Sequence, residues 1–463
     1  MEIGDGDIHV SLQRAEFGYF LGFADVEVKD VGVFLDELLE FFGVGDLLRV
    51  ALFGRLLREH RQSQPHQREE LLHTFECSDR LNGMRVREVK CHTAPMAGSW
   101  LSESVIANPM SGYAEYFEKR SSWFGPMTAA VIEVVLEDGT RGFGFVGCGK
   151  GLAARAVLDE QMARMVVGKP VCDTGLLQEQ LYRASLFYGR GGVTQAVISG
   201  IDLALWDAQG KVLGKPVYEL TGGGARGALR AYYTGYDPEA LAAYGIRDMK
   251  IAVPYGPAHG EMGMRKNEEA VARAREVLGP EAFLALDIYM GWDVPYTLRM
   301  YDRIERYGIA WLEEPVVPDD YAGYREIRRR VNTMVTGGEH EYTFEGFRRL
   351  IEEGCVDIVQ PDIYRAGGIT GLKKIAAIAA AHHTKLICHG IGAATYHFES
   401  GLDATMTPYV EYVDIYRGTT QDWVLTGDPR PVGGLISLGN EPGFGYSLDE
   451  RVFAEGLPVA TIW

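Results

Sequence analysis

The sequence predicts an α/β protein whose larger part is a modified TIM barrel of alternating strands and helices. Between residues 228 and 413, short apolar strands recur roughly every 20 to 35 residues, the spacing of repeated βα units. Amphipathic helical segments separate these strands, as expected where helices cover a parallel sheet. Most of the strands end in an ionisable residue. Together these observations favour a barrel with its functional site at the carboxyl ends of the strands.

The first 83 residues differ in character from the rest of the chain. The segment LDELLEFFGVGDLLRVALFGRLLREH carries leucine- and arginine-rich amphipathic patches, which predict a helix. The polar segment RQSQPHQREE follows it and is typical of a linker. Two interpretations stay open, an accessory helical extension or an upstream segment without functional weight.

Residues 84–220 predict an α+β domain that precedes the barrel. A strand-like segment, MRVREVK, begins at Met84, and AAVIEVVLEDGTRGFGF contains two strands joined by an Asp-Gly turn. The segment GIDLALWDAQGKVLG has the apolar spacing of a helix. This mixture of strands and helices differs from the regular βα repeat that follows it.

Residues 221–420 form the predicted barrel domain, and residues 421–463 follow it. Each barrel strand is expected to be short and largely apolar because both faces of a parallel sheet are buried. The eight strand candidates are ALRAYYTGY, DMKIAV, AFLALDIYM, IAWLEEP, MVTGGEH, DIVQPDIY, KLICHG and YVEYV.

Six of the eight strand candidates end in an ionisable side chain, and a barrel brings these ends to one face. Carboxylates gathered in a buried pocket need a cation, and a small set of oxygen ligands suits Mg²⁺. Capping of the helices that follow is the alternative explanation for any one of them. Only one of Glu313 and Glu314 can point into the pocket, because neighbouring strand residues face opposite ways. The six are Asp287, Glu313 or Glu314, Glu339, Asp362, His389 and Glu411, of which Asp287, Glu313 and Glu339 are the predicted metal ligands.

His389 and Asp362 end neighbouring strand candidates, so a hydrogen bond between them is expected. Such an aspartate would fix the tautomer of the histidine and raise its basicity. The other histidines of this region lack a comparable position and are interpreted as core or surface residues. They are His340, His382, His383 and His397.

Composition and charge restrict the classes of partner. A net charge of −18 disfavours binding to nucleic acids or to anionic membrane surfaces, which leaves small molecules as the expected partners. The six cysteines are scattered without CxxC pairs, which argues against a disulfide framework and a structural zinc site. The acidic start MEIGDGDIHV is unlike a secretory signal, and no apolar run approaches the ~20 residues that span a bilayer. A cytoplasmic protein is expected.

Several ordered segments resemble the enolase superfamily, and in particular its L-rhamnonate dehydratase branch. They include WLEEP, GGEHEYT, IVQPDIYRAGG, LICHG and TPYVEYV in the barrel, and KIAVPYGPAHGEMG at its second strand. ANPMSGYAEYFEKR and SGIDLALWDAQGKVLGKPVYELTGG extend the resemblance to the preceding domain. It runs from Met84 to the C-terminal PGFGYSL and excludes the first 83 residues. It implies a (β/α)7β barrel with a capping domain that residues 421–463 complete.

The resemblance also implies a cofactor, a substrate class and site residues. Mg²⁺ would be the cofactor, a small sugar acid the substrate, and the protein a homo-oligomer. Asp287, Glu313 and Glu339 would bind the metal, His389 would be the general base oriented by Asp362, and Glu411 would contact the substrate or intermediate. Arg120 and His92 of the capping domain would bind the substrate.

The implied reaction is dehydration of L-rhamnonate or a similar aldonate, through an enediolate, to a 2-keto-3-deoxy acid. Racemases of the superfamily carry a Lys-x-Lys pair on the second barrel strand, whereas this chain has Lys250, Ile251 and Ala252. With one acid/base group, a syn elimination by His389 is favoured over racemisation. The alternatives are an epimerase or cycloisomerase, and a barrel that binds without catalysis. Arg365 departs from the family pattern and is expected to face solvent, or otherwise to add a charge near the substrate.

Overall fold

The structure is a computed structural model in which contacts divide the chain into two units, Met1–Asp79 and Arg80–Trp463. Within the first unit, β1 (Glu2–Gly4) pairs antiparallel with β2 (Asp7–His9). The helix and linker predicted between residues 35 and 70 lie outside the described residues. The structure describes residues 2–4, 7–9, 81–97, 107–113, 115–116, 123, 125–223, 227–390, 392–413, 424–455 and 459–460.

The capping domain of the second unit is built on a sheet of β3 (Val86–Ala97), β4 (Thr128–Leu136) and β5 (Arg141–Phe145). These strands run antiparallel, and the predicted Asp-Gly turn joins the last two, with Gly139 at a φ of 90°. A short strand from the far end of the chain, β17 (Val459–Ala460), pairs in parallel with β3. The C-terminal segment therefore returns to the capping domain, as the resemblance implied.

Helices pack on this sheet, and they share with it a core of apolar residues. The longest helix lies against β5, where a Cβ atom on Gly144 would be 2.0 Å from the carbonyl oxygen of Gly200. Glycine at this position therefore sets how closely strand and helix approach. These helices are α1 (Gly151–Val157), α2 (Ala163–Val166), α3 (Thr174–Ser185) and α4 (Val193–Leu213), with a π-helical turn, Leu158–Met162, between α1 and α2; a short helix outside this core, α5 (Val217–Thr221), follows α4.

The substitution Gly144→Ala is expected to destabilise the capping domain by about 1–3 kcal/mol, the usual cost of overpacking. The added methyl group would meet the backbone of α4, which cannot rotate away as a side chain would. Urea denaturation followed by circular dichroism measures the effect. Gly175→Ala in α3 is the control, because a Cβ atom there meets nothing within 4 Å. Equal stability of the two variants would contradict the proposed close packing.

Eight parallel strands form the curled sheet of the barrel domain, and hydrogen-bonded ladders join them in a single path. The path runs from the seventh strand back to the first and then to the eighth. Among the described residues no ladder joins the seventh strand to the eighth, but Thr407 donates a side-chain hydrogen bond of 2.7 Å to the Leu386 carbonyl oxygen there. The strands are β6 (Ala228–Gly235), β7 (Met249–Ala252), β8 (Leu284–Asp287), β9 (Ile309–Glu313), β10 (Met334–Gly337), β11 (Ile358–Val359), β12 (Lys385–Leu386) and β13 (Val410–Val413).

Helices connect successive barrel strands, except that a 3₁₀ helix, Ala240–Tyr244, stands in the first connection. The predicted fold class, a modified TIM barrel with an α+β capping domain, is confirmed. No described helix is both long and apolar enough to cross a membrane. The connecting helices are α6 (Gly260–Leu278), α7 (Val294–Ile304), α8 (Tyr321–Arg330), α9 (Phe344–Glu352), α10 (Gly368–Ala381) and α11 (Ala393–Ser400).

The described residues beyond the barrel, 424–455 and 459–460, form short elements with contacts to both domains. One of them, β15 (Leu435–Ser437), pairs antiparallel with β6. Tyr446 donates a hydrogen bond of 2.8 Å to the carbonyl oxygen of Phe143 in the capping sheet. The other elements are β14 (Leu425–Thr426), β16 (Ser447–Leu448) and α12 (Glu450–Glu455).

The interior of the barrel has an apolar layer and, nearer the carboxyl ends of the strands, a polar layer. Side chains two residues apart on a strand share a face. On five of the strands an apolar interior residue is followed, two positions later, by a polar residue on the same face. The apolar layer contains Tyr232, Ala285, Trp311, Ile358 and Ile387, and the polar residues two positions later are Thr234, Asp287, Glu313, Gln360 and His389. The polar layer lies at the carboxyl ends of the strands, where the sequence places the site.

Candidate active site

The three predicted metal ligands come together at the carboxyl ends of β8, β9 and β10. Asp287 and Glu313 are the last residues of their strands, and Glu339 follows β10 by two residues. One oxygen from each carboxylate lies within 4.8 Å of the others. Glu313 and Glu339 are buried and Asp287 is partly buried. Burial, with the neighbouring carboxylates of Glu339 and Glu314, raises the pKa of Asp287 to about 6, as expected where carboxylates share a buried site.

The backbone at these strand ends adopts a conformation that is costly for non-glycine residues. Tyr289, Met290 and Glu314 have φ values of 50°, 61° and 42°. The Met290 amide donates a hydrogen bond of 2.7 Å to the Glu314 carbonyl oxygen, so the two turns support each other. Such strain persists where the surrounding structure enforces it, and it is concentrated at functional sites.

The alternation of a strand predicted that only one of Glu313 and Glu314 would point into the pocket, and Glu314 departs from this prediction. The positive φ at Glu314 ends the regular alternation of side chains, so adjacent Glu313 and Glu314 both approach Glu339. Glu314 Oε2 lies 2.7 Å from His340 Nδ1, and these two residues with Glu339 form a second group of possible ligands. His340, interpreted from the sequence as a core or surface residue, therefore borders the site.

His389 and Asp362 form the predicted pair. His389 Nδ1 lies 3.1 Å from Asp362 Oδ2, and the backbones of the two residues pair in a parallel bridge beyond β11 and β12. The other ring nitrogen, Nε2, lies 3.3 Å from Glu339 Oε2. Burial lowers the pKa of His389, but Glu339 and the hydrogen bond with Asp362 outweigh it and raise the pKa to about 9. The pair thus faces the carboxylate trio directly.

Lys250 is a site residue that sequence analysis missed. Its ammonium group contacts Glu313, lies 2.9 Å from Glu411 Oε1 and lies 3.7 Å from Asp287 Oδ2. The side chain is almost fully buried, and burial alone would lower the pKa of Lys250. The neighbouring carboxylates instead raise that pKa well above its usual value, so Lys250 is the counter-charge of the ring. A signal was present, because Lys250 is a charged residue within the predicted apolar strand DMKIAV.

Glu411 lies in β13 with its carboxylate fully engaged by protein groups. Oε1 accepts a hydrogen bond of 2.6 Å from Thr234 and contacts Lys250, while Oε2 accepts one of 2.7 Å from the Gly390 amide. These contacts hold Glu411 next to the turn that follows His389. Its predicted contact with a substrate stays a prediction.

Arg365 is buried, contrary to the expectation that it faces solvent. Its guanidinium group lies 3.1 Å from Asp362 Oδ2 and 3.5 Å from Glu339 Oε1. This burial was not predictable, because Arg365 belongs to a turn, where no strand or helix periodicity indicates the direction of a side chain. Arg365 therefore contacts both the metal-ligand group, through Glu339, and the histidine pair, through Asp362.

The two predicted substrate residues of the capping domain are not brought to this cluster by described contacts. Arg120 lies outside the described residues. His92 lies in β3, where its Nε2 is 2.7 Å from Glu133 Oε2 and its ring is 5.2 Å from that of Phe453. It lines a cavity of about 480 Å³ formed by β3, β4, β5, β16 and α12, with no barrel strand in the lining.

Comparisons with known proteins agree with this geometry. Residues 124–222 match the family model described as the mandelate racemase/muconate lactonizing enzyme N-terminal domain, and residues 238–452 match the one described as enolase C-terminal domain-like. The L-rhamnonate dehydratase of Saccharopolyspora erythraea is 37% identical over 386 residues, which cover 80% of this chain and 98% of that relative. The chain belongs to the enolase superfamily. The resemblance proposed from the sequence is confirmed.

Solved structures of the superfamily extend this agreement to three dimensions. L-rhamnonate dehydratase from Gibberella zeae is 36% identical with a TM-score of 0.74, and covers 80% of this chain and 95% of that one. A rhamnonate dehydratase structure from the same organism, complexed with Mg, is 35% identical with a TM-score of 0.73, and covers 80% of this chain and 96% of that one. A 3,6-anhydro-D-galactonate cycloisomerase from Zobellia galactanivorans is 27% identical with a TM-score of 0.67, covering 80% and 99%. As predicted, this superfamily member is an enzyme, with hydro-lyases among its relatives.

Proposed function

We propose that this enzyme dehydrates a sugar acid, L-rhamnonate or a similar aldonate, to its 2-keto-3-deoxy acid in a Mg²⁺-dependent reaction. The observation that carries the proposal is the position of His389 Nε2, 3.3 Å from Glu339 and opposite the ring nitrogen that Asp362 holds. A base thus stands beside a group of carboxylates suited to a metal. The names of the relatives supply the substrate class.

The residues present fit a magnesium ion. Asp287, Glu313 and Glu339 offer oxygen atoms only, which is the donor set that Mg²⁺ prefers. Their burial leaves negative charge that Lys250 alone does not balance. When bound there, Mg²⁺ would stabilise the negative charge that develops on a substrate carboxylate during proton removal.

The chain's own residues then supply the proton transfers. His389 would take the proton from C2 of the acid through Nε2, because Asp362 holds the opposite nitrogen and a cation held by Glu339 would offset the carboxylate charge that raises the pKa of His389. The protonated imidazole would next give that proton to the departing 3-hydroxyl group, which requires both groups on one face of the substrate. Arg120, His92 and Glu411 remain proposed substrate contacts, and the homo-oligomeric state and cytoplasmic location remain predictions.

One observation favours epimerisation or cycloisomerisation as a second candidate. His340, bonded to Glu314, lies with Nε2 3.7 Å from Glu339, the same carboxylate that His389 contacts. The two histidines approach different oxygen atoms of one carboxylate, Oε1 for His340 and Oε2 for His389, and two such groups could exchange protons with opposite faces of a carbon. That geometry offers the second acid/base group that sequence analysis did not locate.

Turnover of a panel of aldonic and aldaric acids with Mg²⁺ tests the proposal. We expect one or a few acids to yield 2-keto-3-deoxy products, detected as their semicarbazones, and EDTA to abolish the reaction. In deuterated solvent, an acid recovered with inverted configuration at C2 would instead support epimerisation. Product formation that is unchanged after metal removal would contradict the metal dependence.

The choice between the two possible ligand groups leads to a further prediction. Glu313→Gln is expected to weaken Mg²⁺ binding more than about 100-fold, beyond the 10–100-fold typical of outer-shell changes, because it removes an anionic ligand. His340→Asn is expected to weaken it about 10-fold at most. Isothermal titration calorimetry on metal-free protein measures both. The reverse order of effects would place the ion among Glu314, Glu339 and His340.

A further inference from the structure

Arg365 touches three separate parts of the molecule with one side chain. It lies in the turn between β11 and α10 and is buried. Its Nε atom donates a hydrogen bond of 3.0 Å to the carbonyl oxygen of Gly147, and Nη1 donates one of 3.0 Å to the carbonyl oxygen of Glu339. The guanidinium group also lies 3.1 Å from Asp362 Oδ2 and 3.5 Å from Glu339 Oε1.

The Gly147 contact links this arginine to the capping domain. Gly147 follows β5, and its amide donates a hydrogen bond of 3.3 Å to the Tyr364 carbonyl oxygen. A Cβ atom on Gly147 would lie 2.6 Å from that of Tyr364, so only glycine permits this approach of the two backbones. The same barrel turn is fastened to α4, since the Gly367 amide donates a hydrogen bond of 2.8 Å to Ser199.

The shape of the guanidinium group explains why an arginine stands here. Its planar fork holds two acceptors in fixed directions, whereas a lysine ammonium group acts as a flexible point charge. Nε faces Gly147 and Asp362 while Nη1 faces Glu339, so one rigid plane spans the capping domain, the metal-ligand group and the histidine pair. Movement of any one of the three would disturb the other two.

We infer that Arg365 is a positioning residue that couples docking of the capping domain at Gly147 to the orientation of Glu339 and Asp362. This inference rests on the proposed function, in which Glu339 binds the metal and Asp362 orients the base. Arg365 is not itself a catalytic residue. Its effect reaches the reaction through the two carboxylates, so it acts on metal affinity and on turnover together.

The substitutions Arg365→Lys and Arg365→Met separate charge from shape. If the two-pronged geometry matters, Arg365→Lys keeps the positive charge but weakens Mg²⁺ binding by about 10–100-fold, the usual effect of losing a partner that orients a ligand. The kcat for the sugar acid falls in this variant while KM changes little, because the arginine does not contact substrate. Arg365→Met adds the loss of charge and weakens Mg²⁺ binding at least as much.

Hydrogen exchange of the metal-free protein gives a readout that does not depend on the proposed reaction. In Arg365→Lys we expect faster exchange in peptides that contain Gly147 and in peptides that contain Glu339. Arg275→Lys is the control, since Arg275 is a partly buried arginine that, like Arg365, donates to several carbonyl oxygens, including those of Tyr307 and Gly279. It lies at the opposite end of the strands, so its substitution should leave exchange at Gly147 and Mg²⁺ affinity unchanged.

The outcomes distinguish the two proposals. Wild-type protein that binds no Mg²⁺ overturns the proposed function, and the exchange data still decide whether Arg365 couples the domains. Wild-type protein that binds Mg²⁺, with an Arg365→Lys variant equal to it in exchange, metal affinity and kcat, overturns the role of Arg365 alone. Faster exchange together with weaker Mg²⁺ binding in Arg365→Lys, but not in Arg275→Lys, supports the coupling.

Discussion

His389→Asn is expected to reduce kcat for dehydration by about 10⁴-fold, the upper end of what one general acid–base group contributes. The large value follows from the proposal that His389 acts twice, first on the C2 proton and then on the departing hydroxyl group. Asparagine is of similar size and cannot accept a proton at neutral pH. Steady-state kinetics at saturating Mg²⁺ measures the loss.

Metal binding separates loss of chemistry from loss of structure in this variant. We expect His389→Asn to bind Mg²⁺ and to unfold at a similar temperature. His383→Asn is the control, because His383 is exposed and its φ of 54° suits asparagine. Residual dehydration within 10-fold of the wild type in His389→Asn would show that another group is the base, and His340 would be examined first.

Lys250→Met is expected to destabilise the metal-free protein by about 3–5 kcal/mol, the usual cost of removing one partner from a buried ion pair. Three carboxylates, those of Asp287, Glu313 and Glu411, would then lose their buried counter-charge. Saturating Mg²⁺ should restore part of the stability, because binding to the folded state alone stabilises it. The first unfolding transition in urea, with EDTA and with Mg²⁺, measures both effects.

Lys266→Met is the matched control for Lys250→Met. Lys266 pairs with Glu269 at 2.8 Å on the exposed side of α6, and such surface changes stay within about 0.5 kcal/mol. If the two lysine variants unfold at the same urea concentration, the buried carboxylates are neutral without Lys250. If Mg²⁺ restores nothing, the ion binds away from this ring.

The barrel and the position of its site were predictable from the sequence because both depend on local patterns. Apolar strands at regular spacing predict the barrel, and an acidic residue at a strand end predicts the shared rim. His389 and Asp362 were found in this way, although nothing but their places on neighbouring strands connects them. The Asp-Gly turn of the capping sheet was found from two residues.

Lys250, Arg365 and the position of Glu314 were not predictable in the same way. In the sequence, Lys250 served only to show that the Lys-x-Lys pair of the racemases is incomplete. Its contacts depend on carboxylates from three other strands, which no pattern around Lys250 indicates. The burial of Arg365 depends on Gly147, 218 residues earlier in the chain. Glu314 needs an unusual backbone φ that neither its residue type nor the alternation of a strand indicates.

The pairing of β17 with β3 bears on how the protein folds. Val459 pairs with Met96, so two strands that lie far apart in the sequence share one ladder of the capping sheet. Contacts between such distant segments form slowly during folding. Until β17 docks, that edge of β3 presents unpaired backbone groups and could pair with another chain. Docking of β17 therefore protects the folding protein against association through this edge.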